Sequence, residues 1–451
     1  DMNSPVYASI SSFGIGGTNA HMVIEQYCDP SRSSRSHSIS HYNVLCWTAK
    51  TAEAANKIRI ELLNNMKQCS EVQNTYYRHA AYTSQIGRIH YKQARQMIVA
   101  KDTLHAMRGL VECTAKAAPT MSVSPTFIYV FPGQGVHYSG MGVNLYQQIG
   151  DFRMFVDEVW LSFLDCVETN VSLFDLNTID IIRKLSIQEL WSSCTDADKK
   201  LAWLTQVGLF LLQYCLSAWL IKMGVKMDAC IGHSLGHYVS AVFGGILSIE
   251  CALLMLLKRC ELLQIHVKPD VTATMLSIRM NYDNALKILT DDVEIAAINS
   301  PCHITVAGSD SAVKSLHTAL KEKEIPSAYL KRNQYAFHSK FVDIILPEFQ
   351  NFIEHLNAKR VNKPCSNTII CADTVTGTLL PKSDSIESYI DVTYWVSHTR
   401  QPVQFSSALE HLIDCQAKTG QKFVFIDIGP GRSCFPLLQN QFFCLTNPSA
   451  A

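Results

Sequence analysis

The sequence predicts an α/β protein whose core is a mostly parallel sheet, and three observations support this fold class. Residues 126–135 and 423–431 are short apolar runs that end in turns containing glycine and proline, as buried strands of a parallel sheet do. Residues 201–224 have the composition of a long helix that is buried on most sides. Residues 226–245 have the pattern of strand, sharp turn and helix, so strands and helices alternate along the chain.

A second pattern, over residues 272–331, indicates a small subdomain inserted into this α/β domain. The predicted order is strand, helix, strand, strand, helix, strand, carried by TATMLSI, YDNALKILT, VEIAAIN, HITVAG, SAVKSLHTALKEK and SAYLK. This order is the signature of a ferredoxin-like fold. We therefore assign the α/β domain to residues 121–445 and the inserted ferredoxin-like subdomain to residues 272–335.

Two further parts are predicted before residue 121. Residues 1–27 hold two apolar runs around a glycine-rich loop. The loop does not predict a dinucleotide site, because the segment after it is too short for the required helix and no acidic residue closes a following strand. Residues 28–120 contain a linker and a small α/β linker domain, with alternating strands and helices predicted at 41–49, 51–69, 93–100 and 102–115. These parts carry no clustered reactive residues, so a structural or spacer role is expected.

The composition argues against several classes of function. The chain has 451 residues, and its 39 basic and 39 acidic residues cancel, so there is no overall basic footprint for nucleic acid. No run of 18 apolar residues is free of charge, the nearest being broken by Glu250 and Lys258, so no membrane span is expected. The N-terminus lacks the regions of a signal peptide and an initiating methionine, so we expect a cytoplasmic piece of a longer chain.

The cysteines predict neither a disulfide framework nor a metal site. Sixteen are present, without a CxxC pair and without the spacing of zinc ligands. Many lie inside apolar runs, as Cys215 and Cys230 do, and these are expected to be buried free thiols in a reducing compartment.

The motif GHSLG at residues 232–236 is the strongest chemical signal in the chain. It matches G-x-S-x-G and lies directly after an apolar strand and before a helix, as in α/β-hydrolase-like enzymes. In that setting the glycines permit a tight turn that exposes the hydroxyl of Ser234, and the backbone N–H of Leu235 can face an oxyanion. Ser234 is therefore the predicted nucleophile.

A serine hydroxyl needs a neighbouring base, and the sequence alone does not select one among sixteen histidines. His233 and His237 adjoin the serine, but residues beside such a turn usually point away from it. His338 follows the inserted subdomain in the segment YAFHS. Spacing alone leaves each of these histidines open as a structural residue or as the base.

Two other residues lie where such a site would need them. Gln134 follows an apolar strand in FPGQG, at the edge where open α/β sheets place their sites, so its backbone N–H is a candidate oxyanion donor. Arg259 lies on the apolar helix SIECALLMLLKRCELLQ, where a buried arginine would require an anion such as a carboxylate. A plain turn and a surface arginine are the alternatives.

Seven motifs in order make the chain resemble the acyltransferase domains of modular polyketide synthases and animal-type fatty acid synthases, relatives of malonyl-CoA:acyl carrier protein transacylases. They are FPGQG, TQVGLF, GHSLG, KRCELLQ, YAFHS, YWVSHTRQPVQF and DIGPG. Residues 1–27 resemble the C-terminal end of a ketosynthase domain. Residues 28–120 resemble the linker domain between a ketosynthase and an acyltransferase. The resemblance covers nearly the whole chain.

This resemblance implies roles for individual residues. Ser234 would carry the acyl group, and His338 would be the general base. The backbone N–H groups of Gln134 and Leu235 would form the oxyanion hole. Arg259 would pair with the free carboxylate of a malonyl-type substrate.

Further positions follow from the same resemblance. Gln404, in PVQF, matches a position whose backbone carbonyl orients the histidine in relatives, so no acidic third member of a triad is expected. His237 departs from the family, which usually has glutamate there, and we expect activity to survive this departure. The residues implied to line the pocket are Gln206, Asn299, His233, Tyr335 and Phe337.

The choice of extender unit can be predicted from three positions. Phe337, Leu235 and the motif TQVGLF resemble malonyl-selective relatives. A bulky ring at Phe337 would fill the space that an α-methyl group needs. Tyr335 resembles methylmalonyl-selective relatives instead. The balance favours malonyl, although a single methyl group is worth only about 1–3 kcal/mol in such pockets.

The implied reaction moves a malonyl unit from coenzyme A to the phosphopantetheine thiol of an acyl carrier protein through an acyl-serine. The expected partners are malonyl-CoA, the acyl carrier protein and other domains of the same synthase, such as a ketosynthase. No permanent cofactor and no metal are expected. The alternatives are a methylmalonyl-selective acyltransferase, an acyl-CoA hydrolase and a catalytically silent docking module.

Overall fold

The computed structural model describes eleven segments of the chain, which are residues 6–26, 42–68, 75–113, 124–194, 202–267, 273–330, 335–362, 369–380, 390–417, 422–432 and 434–446. The chain divides into two compact units, Asp1–Thr120 and Met121–Ala451.

The first unit contains an antiparallel hairpin and a small α/β structure. Strands β1 (Tyr7–Phe13) and β2 (Asn19–Glu25) pair over their whole length, and every residue in both is exposed. The α/β structure has antiparallel strands around one apolar core, and its elements are β3 (Asn43–Ala49), α1 (Ala52–Gln68), α2 (Thr75–Ile86), β4 (Ala94–Ala100) and α3 (Thr103–Glu112). Helix α2 was not predicted, because its mixed sequence TYYRHAAYTSQI has a weak apolar stripe; Tyr77 and Ala81 nevertheless bury it against the core.

The second unit is built on a five-stranded sheet whose strands are β5 (Thr126–Phe131), β6 (Ala229–Gly232), β11 (Ile370–Asp373), β12 (Thr378–Leu379) and β13 (Phe423–Asp427). The order is β12-β11-β6-β5-β13, and every pair is parallel except that of the short edge strand β12. This confirms the predicted α/β fold class. The central strands β5 and β6 are almost wholly buried, which explains their continuous apolar sequences.

Helices cover both faces of this sheet. They are α4 (Val143–Gln148), α5 (Gly150–Thr169), α6 (Leu176–Lys184), α7 (Ile187–Ser192), α8 (Ala202–Lys222), α9 (Leu235–Phe243), α10 (Ile249–His266), α13 (Leu346–Ala358), α14 (Val392–Arg400), α15 (Phe405–Ala417) and α16 (Phe435–Thr446). Helix α8 is the long buried helix predicted at residues 201–224. It is also long and apolar enough to cross a membrane, which the sequence analysis did not assign to it, but 67% of its most apolar stretch is buried inside the unit. Its burial is that of a core helix packed against α5 and α10.

The small subdomain is a separate four-stranded antiparallel sheet within the second unit. Its elements are β7 (Ala273–Ile278), α11 (Tyr282–Leu286), β8 (Val293–Ser300), β9 (His303–Ser309), α12 (Asp310–Glu322) and β10 (Ser327–Tyr329). The strand order β10-β7-β9-β8 is the 4-1-3-2 order of a ferredoxin-like fold, as predicted. Strand β8 also bonds to the main body, because Ile298 N–H donates to Val403 O (2.8 Å) and Val403 N–H donates to Ala296 O (2.9 Å).

Candidate active site

The turn between β6 and α9 places Ser234 at the carboxyl end of the sheet. Ser234 has φ 52° and ψ −111°, a strained backbone for a non-glycine residue. The turn is so tight that a Cβ atom added at Gly232 would lie 2.1 Å from the carbonyl oxygen of Gly236. A Cβ added at Gly236 would lie 2.1 Å from the carbonyl oxygen of Phe131 on the neighbouring strand. The motif therefore needs glycine at both positions.

His338 is the histidine that contacts the predicted nucleophile. Its Nε2 atom lies 2.7 Å from Ser234 Oγ, and its Nδ1 atom lies 2.9 Å from the carbonyl oxygen of Gln401. A carbonyl can only accept, so Nδ1 carries the hydrogen and Nε2 is free to accept from the serine hydroxyl. Burial lowers the pKa of His338 to about 3, and the neighbouring His233 and Arg259 contribute to this shift, so the ring is neutral at ordinary pH.

The carbonyl that orients His338 differs from the one expected. The sequence resemblance pointed to Gln404, whereas the bond comes from Gln401, three residues earlier. The carbonyl of Gln404 instead accepts from Ala408 N–H at 3.1 Å, because Gln404 stands at the start of α15. The expectation for Gln404 is therefore corrected to Gln401, while the type of interaction is the one expected.

The two candidate oxyanion donors lie on neighbouring strands of the sheet. Phe131 and Gly232 are partners in the register of β5 and β6, so the turn that carries Gln134 lies beside the turn that carries Ser234. Leu235 is the first residue of α9, where backbone N–H groups have no partner within the helix. In the part of the chain that the structure describes, the backbone N–H groups of Gln134 and Leu235 have no hydrogen-bond acceptor. Both can therefore donate to a bound oxygen.

Arg259 is buried beside this pair and has an unusual environment. Only 2% of it is exposed, and its guanidinium carbon lies 4.9 Å from the ring centre of Tyr238 and 5.1 Å from that of Phe337. Its Nε and Nη2 atoms both donate to Gln206 Oε1, at 2.9 and 2.5 Å. Among the described residues, Arg259 forms no ion pair. A buried cation with a neutral partner is suited to binding an anion.

Gln206 links Arg259 to the turn that carries Gln134, one of the two candidate oxyanion donors. Its Nε2 atom donates to Gln134 Oε1 at 3.0 Å, while its Oε1 atom accepts from Arg259. Because one amide uses both its donor and its acceptor in this chain, its orientation is fixed. The arrangement holds the arginine and the turn of Gln134 in a defined relation.

The remaining predicted pocket residues are Tyr335, which contacts Phe337 beside Arg259, and the pair His233 and Asn299 beside Ser234. Tyr335 packs edge-on against Phe337 with ring centres 6.2 Å apart, and burial raises the pKa of Tyr335. His233 Nε2 lies 2.8 Å from Asn299 Oδ1, and Asn299 Nδ2 donates to Thr305 at 3.0 Å, so Nε2 is the donor. The structure thus brings all the predicted site residues together except the carbonyl of Gln404.

Sequence reasoning gave no role to Asp373, Tyr394 and His398, which lie with His237 behind the turn of Ser234. His398 Nε2 lies 3.1 Å from the carbonyl oxygen of Ser234, and its ring stacks on that of His237 with centres 5.2 Å apart. His237 Nε2 lies 2.6 Å from the Tyr394 hydroxyl, which donates to Asp373 Oδ1 at 2.7 Å. The spacing of these residues carries no signal, because they come from three elements far apart in sequence.

The hydrogen positions in this network follow from its ends. The Asp373 carboxylate only accepts, so the single hydrogen of the Tyr394 hydroxyl is committed to it. His237 must then donate from Nε2, and burial lowers its pKa to about 4 despite the nearby Asp373. His237 is therefore neutral and donates to the Tyr394 hydroxyl.

Comparison with known proteins identifies the class of the chain. The acyl transferase domain family matches residues 128–435, which is more than half of the chain, so the chain belongs to this family. The ketoacyl-synthetase C-terminal extension matches residues 2–95. The chain is therefore an acyl transferase domain with such an extension, homologous to the acyltransferase domains of polyketide synthases.

Two relatives illustrate the match. The chain is 27% identical over 445 residues to the hispidin synthase of Neonothopanus nambi, covering 96% of this chain and 24% of that protein. It is 26% identical over 449 residues to the orsellinic acid synthase of Emericella nidulans, covering 96% of this chain and 20% of that protein. The chain thus spans a quarter or less of the length of these relatives.

Solved structures share the fold. The acyl transferase domain of SpnD in complex with 2-(pent-4-yn-1-yl)malonyl superposes with a TM-score of 0.70 at 24% identity, covering 90% of this chain and 89% of that one. The complex of the malonyl-transacylase PlMCAT with the holo acyl carrier protein AntF gives 0.54 at 20% identity, covering 70% and 93%. At these identities the likeness establishes the fold.

Proposed function

We propose that this domain transfers a malonyl unit from coenzyme A to the phosphopantetheine thiol of an acyl carrier protein, with Ser234 as nucleophile and His338 as base. The observation that carries the proposal is that Ser234 Oγ lies 2.7 Å from His338 Nε2, and that the buried Arg259 is near enough to depress the pKa of His338. A Ser–His pair suits acyl transfer, and the guanidinium suits a substrate with a free carboxylate. Two solved structures of the same fold give support, since the SpnD domain holds a malonyl derivative and PlMCAT holds an acyl carrier protein.

In the first step Ser234 Oγ attacks the thioester carbon of malonyl-CoA. His338 Nε2 takes the hydroxyl proton and returns it to the departing coenzyme A sulfur, so the serine ester forms as the thioester breaks. The Gln401 carbonyl keeps its bond to Nδ1–H throughout, which holds the ring in one orientation. The N–H groups of Gln134 and Leu235 donate to the tetrahedral oxyanion, where one such donor is worth about 3–4 kcal/mol.

The substrate carboxylate has a second effect in this proposal. The positive charge of Arg259 is one of the causes that depress the pKa of His338. When a carboxylate pairs with Arg259, that charge is neutralised and the imidazole becomes a stronger base. The base is thus strengthened when the correct acyl group is bound.

In the second step the phosphopantetheine thiol attacks the malonyl-serine. His338 removes the thiol proton and then gives a proton to Ser234 Oγ as the ester breaks, which restores the free enzyme. Arg259 keeps the acyl group in one orientation by its carboxylate, so the carbonyl stays beside the N–H groups of Gln134 and Leu235. That orientation favours the carrier thiol over water.

Phe337 supports malonyl as the extender unit. Its ring lies against the Arg259 guanidinium, so the α-carbon next to the bound carboxylate faces this ring. Tyr335 packs against the edge of Phe337 and limits its movement. An α-methyl group would have to displace the pair, which favours malonyl over methylmalonyl.

The test is intact-protein mass spectrometry after brief mixing with equimolar malonyl-, methylmalonyl- and acetyl-CoA. We expect a malonyl adduct that is lost in Ser234→Ala and kept in Ser217→Ala, a buried serine on α8 whose hydroxyl donates to the Gln213 carbonyl of the same helix. A methylmalonyl adduct would contradict the choice of extender but keep the enzyme class. Rapid release of free malonate without any thiol acceptor would indicate a hydrolase, and no adduct with no turnover would indicate a silent module.

A further inference from the structure

Two thiols from distant parts of the chain meet where the small subdomain contacts helix α16. Cys302 lies in the two-residue turn between β8 and β9, and Cys444 lies near the end of α16. Their Sγ atoms are 3.0 Å apart, although 142 positions separate them in sequence. We propose that Cys302 and Cys444 form a reversible disulfide that ties the small subdomain to the main body of the second unit.

The geometry requires little movement. A disulfide has a sulfur–sulfur length near 2.04 Å, so the two Sγ atoms must approach by about 1 Å. The backbones already lie together, because α16 packs against β8. Cys302 lies in a short turn, which can adjust without disturbing the strands on either side.

Helix α16 is firmly part of the main body. Leu438 belongs to the same buried apolar cluster as Ile128 and Val130 of strand β5. Gln441 accepts from Ser406 at 2.9 Å and donates to Glu410 at 2.6 Å, which fixes α16 to α15. A bond from Cys302 to Cys444 therefore joins the small subdomain to a helix that is itself fixed to the five-stranded sheet.

A second thiol pair provides a contrast at the same distance. Cys230 and Cys371 also have Sγ atoms 3.0 Å apart, on the neighbouring parallel strands β6 and β11. Both are buried beneath α9, where the Ser240 carbonyl lies 3.3 Å from Cys371 Sγ. Cys302, by contrast, is partly exposed. Access therefore favours oxidation of the Cys302–Cys444 pair.

The reaction is a thiol–disulfide exchange with a low-molecular-weight disulfide such as oxidised glutathione. The thiolate of Cys302, the more exposed partner, attacks one sulfur of the reagent; a mixed disulfide forms and one glutathione leaves as a thiolate. Cys444 then loses its proton and attacks Cys302 Sγ, which releases the second glutathione. The protein loses two protons and two electrons, and the reagent gains them as two thiols. Burial raises the pKa of Cys444 to about 11, which is consistent with Cys302 reacting first.

The tether acts on a strand that contributes to the active site. Asn299 near the end of β8 bonds His233 beside the nucleophile, at 2.8 Å. Ala296 and Ile298 of the same strand bond Val403, two residues after the carbonyl that orients His338. A disulfide at Cys302 would therefore restrict the strand that holds both groups. This inference rests on the fold and does not require the proposed malonyl transfer.

The test compares wild-type protein treated with oxidised glutathione at pH 8 with untreated protein. After the remaining thiols are alkylated and the protein is digested without reductant, we expect one linked peptide pair containing Cys302 and Cys444. Dithiothreitol should remove the link, and the turn between β8 and β9 should take up deuterium more slowly in the oxidised protein.

The variants Cys302→Ser and Cys444→Ser should abolish the linked pair, whereas Cys415→Ser and Cys371→Ser should retain it. Cys415 is an exposed thiol outside the pair, and Cys371 belongs to the enclosed pair. Because Cys302 is only partly buried, its substitution should leave the circular dichroism spectrum unchanged and separate loss of the link from misfolding. Stable glutathione adducts on Cys302 without cyclisation, a link between Cys230 and Cys371 instead, or unmodified Cys302 and Cys444 would overturn the proposal.

Discussion

Arg259 is the residue whose surroundings bear most directly on the class of substrate proposed for this domain. It is almost fully buried between the rings of Tyr238 and Phe337, and Gln206 offers it one neutral oxygen. Aromatic faces and an amide stabilise the cation only in part. These surroundings support the proposal that Arg259 binds the carboxylate of the substrate.

The first prediction concerns Arg259→Gln. We expect the kcat/KM for Ser234 acylation by malonyl-CoA to fall about 100-fold, because a charge-assisted pair of about 3 kcal/mol is lost. Acetyl-CoA, which has no free carboxylate, should lose much less, so the ratio of the two rates is the informative measurement. Arg153→Gln, an exposed residue on α5, serves as control. An equal fall for both substrates would contradict a carboxylate-binding role.

A second prediction tests Phe337 as a selectivity residue. Phe337→Ser should open the space beside the bound carboxylate and shift the ratio of malonyl to methylmalonyl acylation by about 10- to 100-fold toward methylmalonyl. Competition between the two thioesters, read by intact mass, measures this ratio directly. If the ratio stays constant while both rates fall, Phe337 only supports Arg259.

At the scale of elements, the turn between β6 and α9 is held in its strained conformation from behind. Thr374 Oγ1, just after β11, donates to the Gly232 carbonyl at 3.0 Å, and His398 on α14 donates to the Ser234 carbonyl. His398 stacks on His237, which Tyr394 connects to Asp373. The end of β11 and helix α14 thus both support this turn, and their packing offsets the cost of its positive φ.

The third prediction concerns this support. Tyr394→Phe removes a hydroxyl that bonds both His237 and Asp373, leaving two buried polar groups without that partner. The free energy of unfolding should fall by about 1–3 kcal/mol in urea titration. Tyr138→Phe, with a mostly exposed side chain, should change it little. The acylation rate should also fall in the folded variant, and an unchanged rate and stability would show that the network does not support the turn.

At the scale of the whole molecule, burial of neutral histidines makes stability depend on pH. Burial lowers the pKa of His237 to about 4 and of His338 to about 3, and that of His398 lies well below its ordinary value. In the unfolded chain these rings titrate near 6.5. Below that pH the unfolded state binds more protons than the folded state, so stability is present above pH 6.5 and is lost as the pH falls toward the folded values.

The fourth prediction follows from this sign. The free energy of unfolding should decrease between pH 7 and pH 5, with a slope of up to about 1.4 kcal/mol per pH unit for each histidine. His237→Gln should reduce the slope, whereas His355→Gln, an exposed residue on α13, should not. Urea titrations at pH 7.5, 6.0 and 5.0 provide the measurement. A slope that is the same in His237→Gln and wild type would contradict the contribution of this residue.

Much of the fold could be predicted because its signals are local. Each apolar strand, the turn of Ser234 between its two glycines, and the small subdomain is encoded by a continuous segment of at most a few tens of residues. Helix α2 escaped prediction because long-range burial of Tyr77, rather than a strong apolar stripe, holds it in place. Helix α8, in contrast, was predicted as a long buried helix from its composition alone, and the structure confirms this.

Sequence patterns were sufficient to predict the turn that carries Ser234, the parallel sheet and, through family motifs, the contact of Ser234 with His338. Only the packed structure shows that Gln401 rather than Gln404 orients His338, that Arg259 lies against the rings of Tyr238 and Phe337, and that Cys302 contacts Cys444. The difference arises from the separation along the chain of the residues involved. Local sequence specifies turns and strands through backbone sterics and periodic burial, whereas these contacts join segments that come together only when separate helices and strands pack.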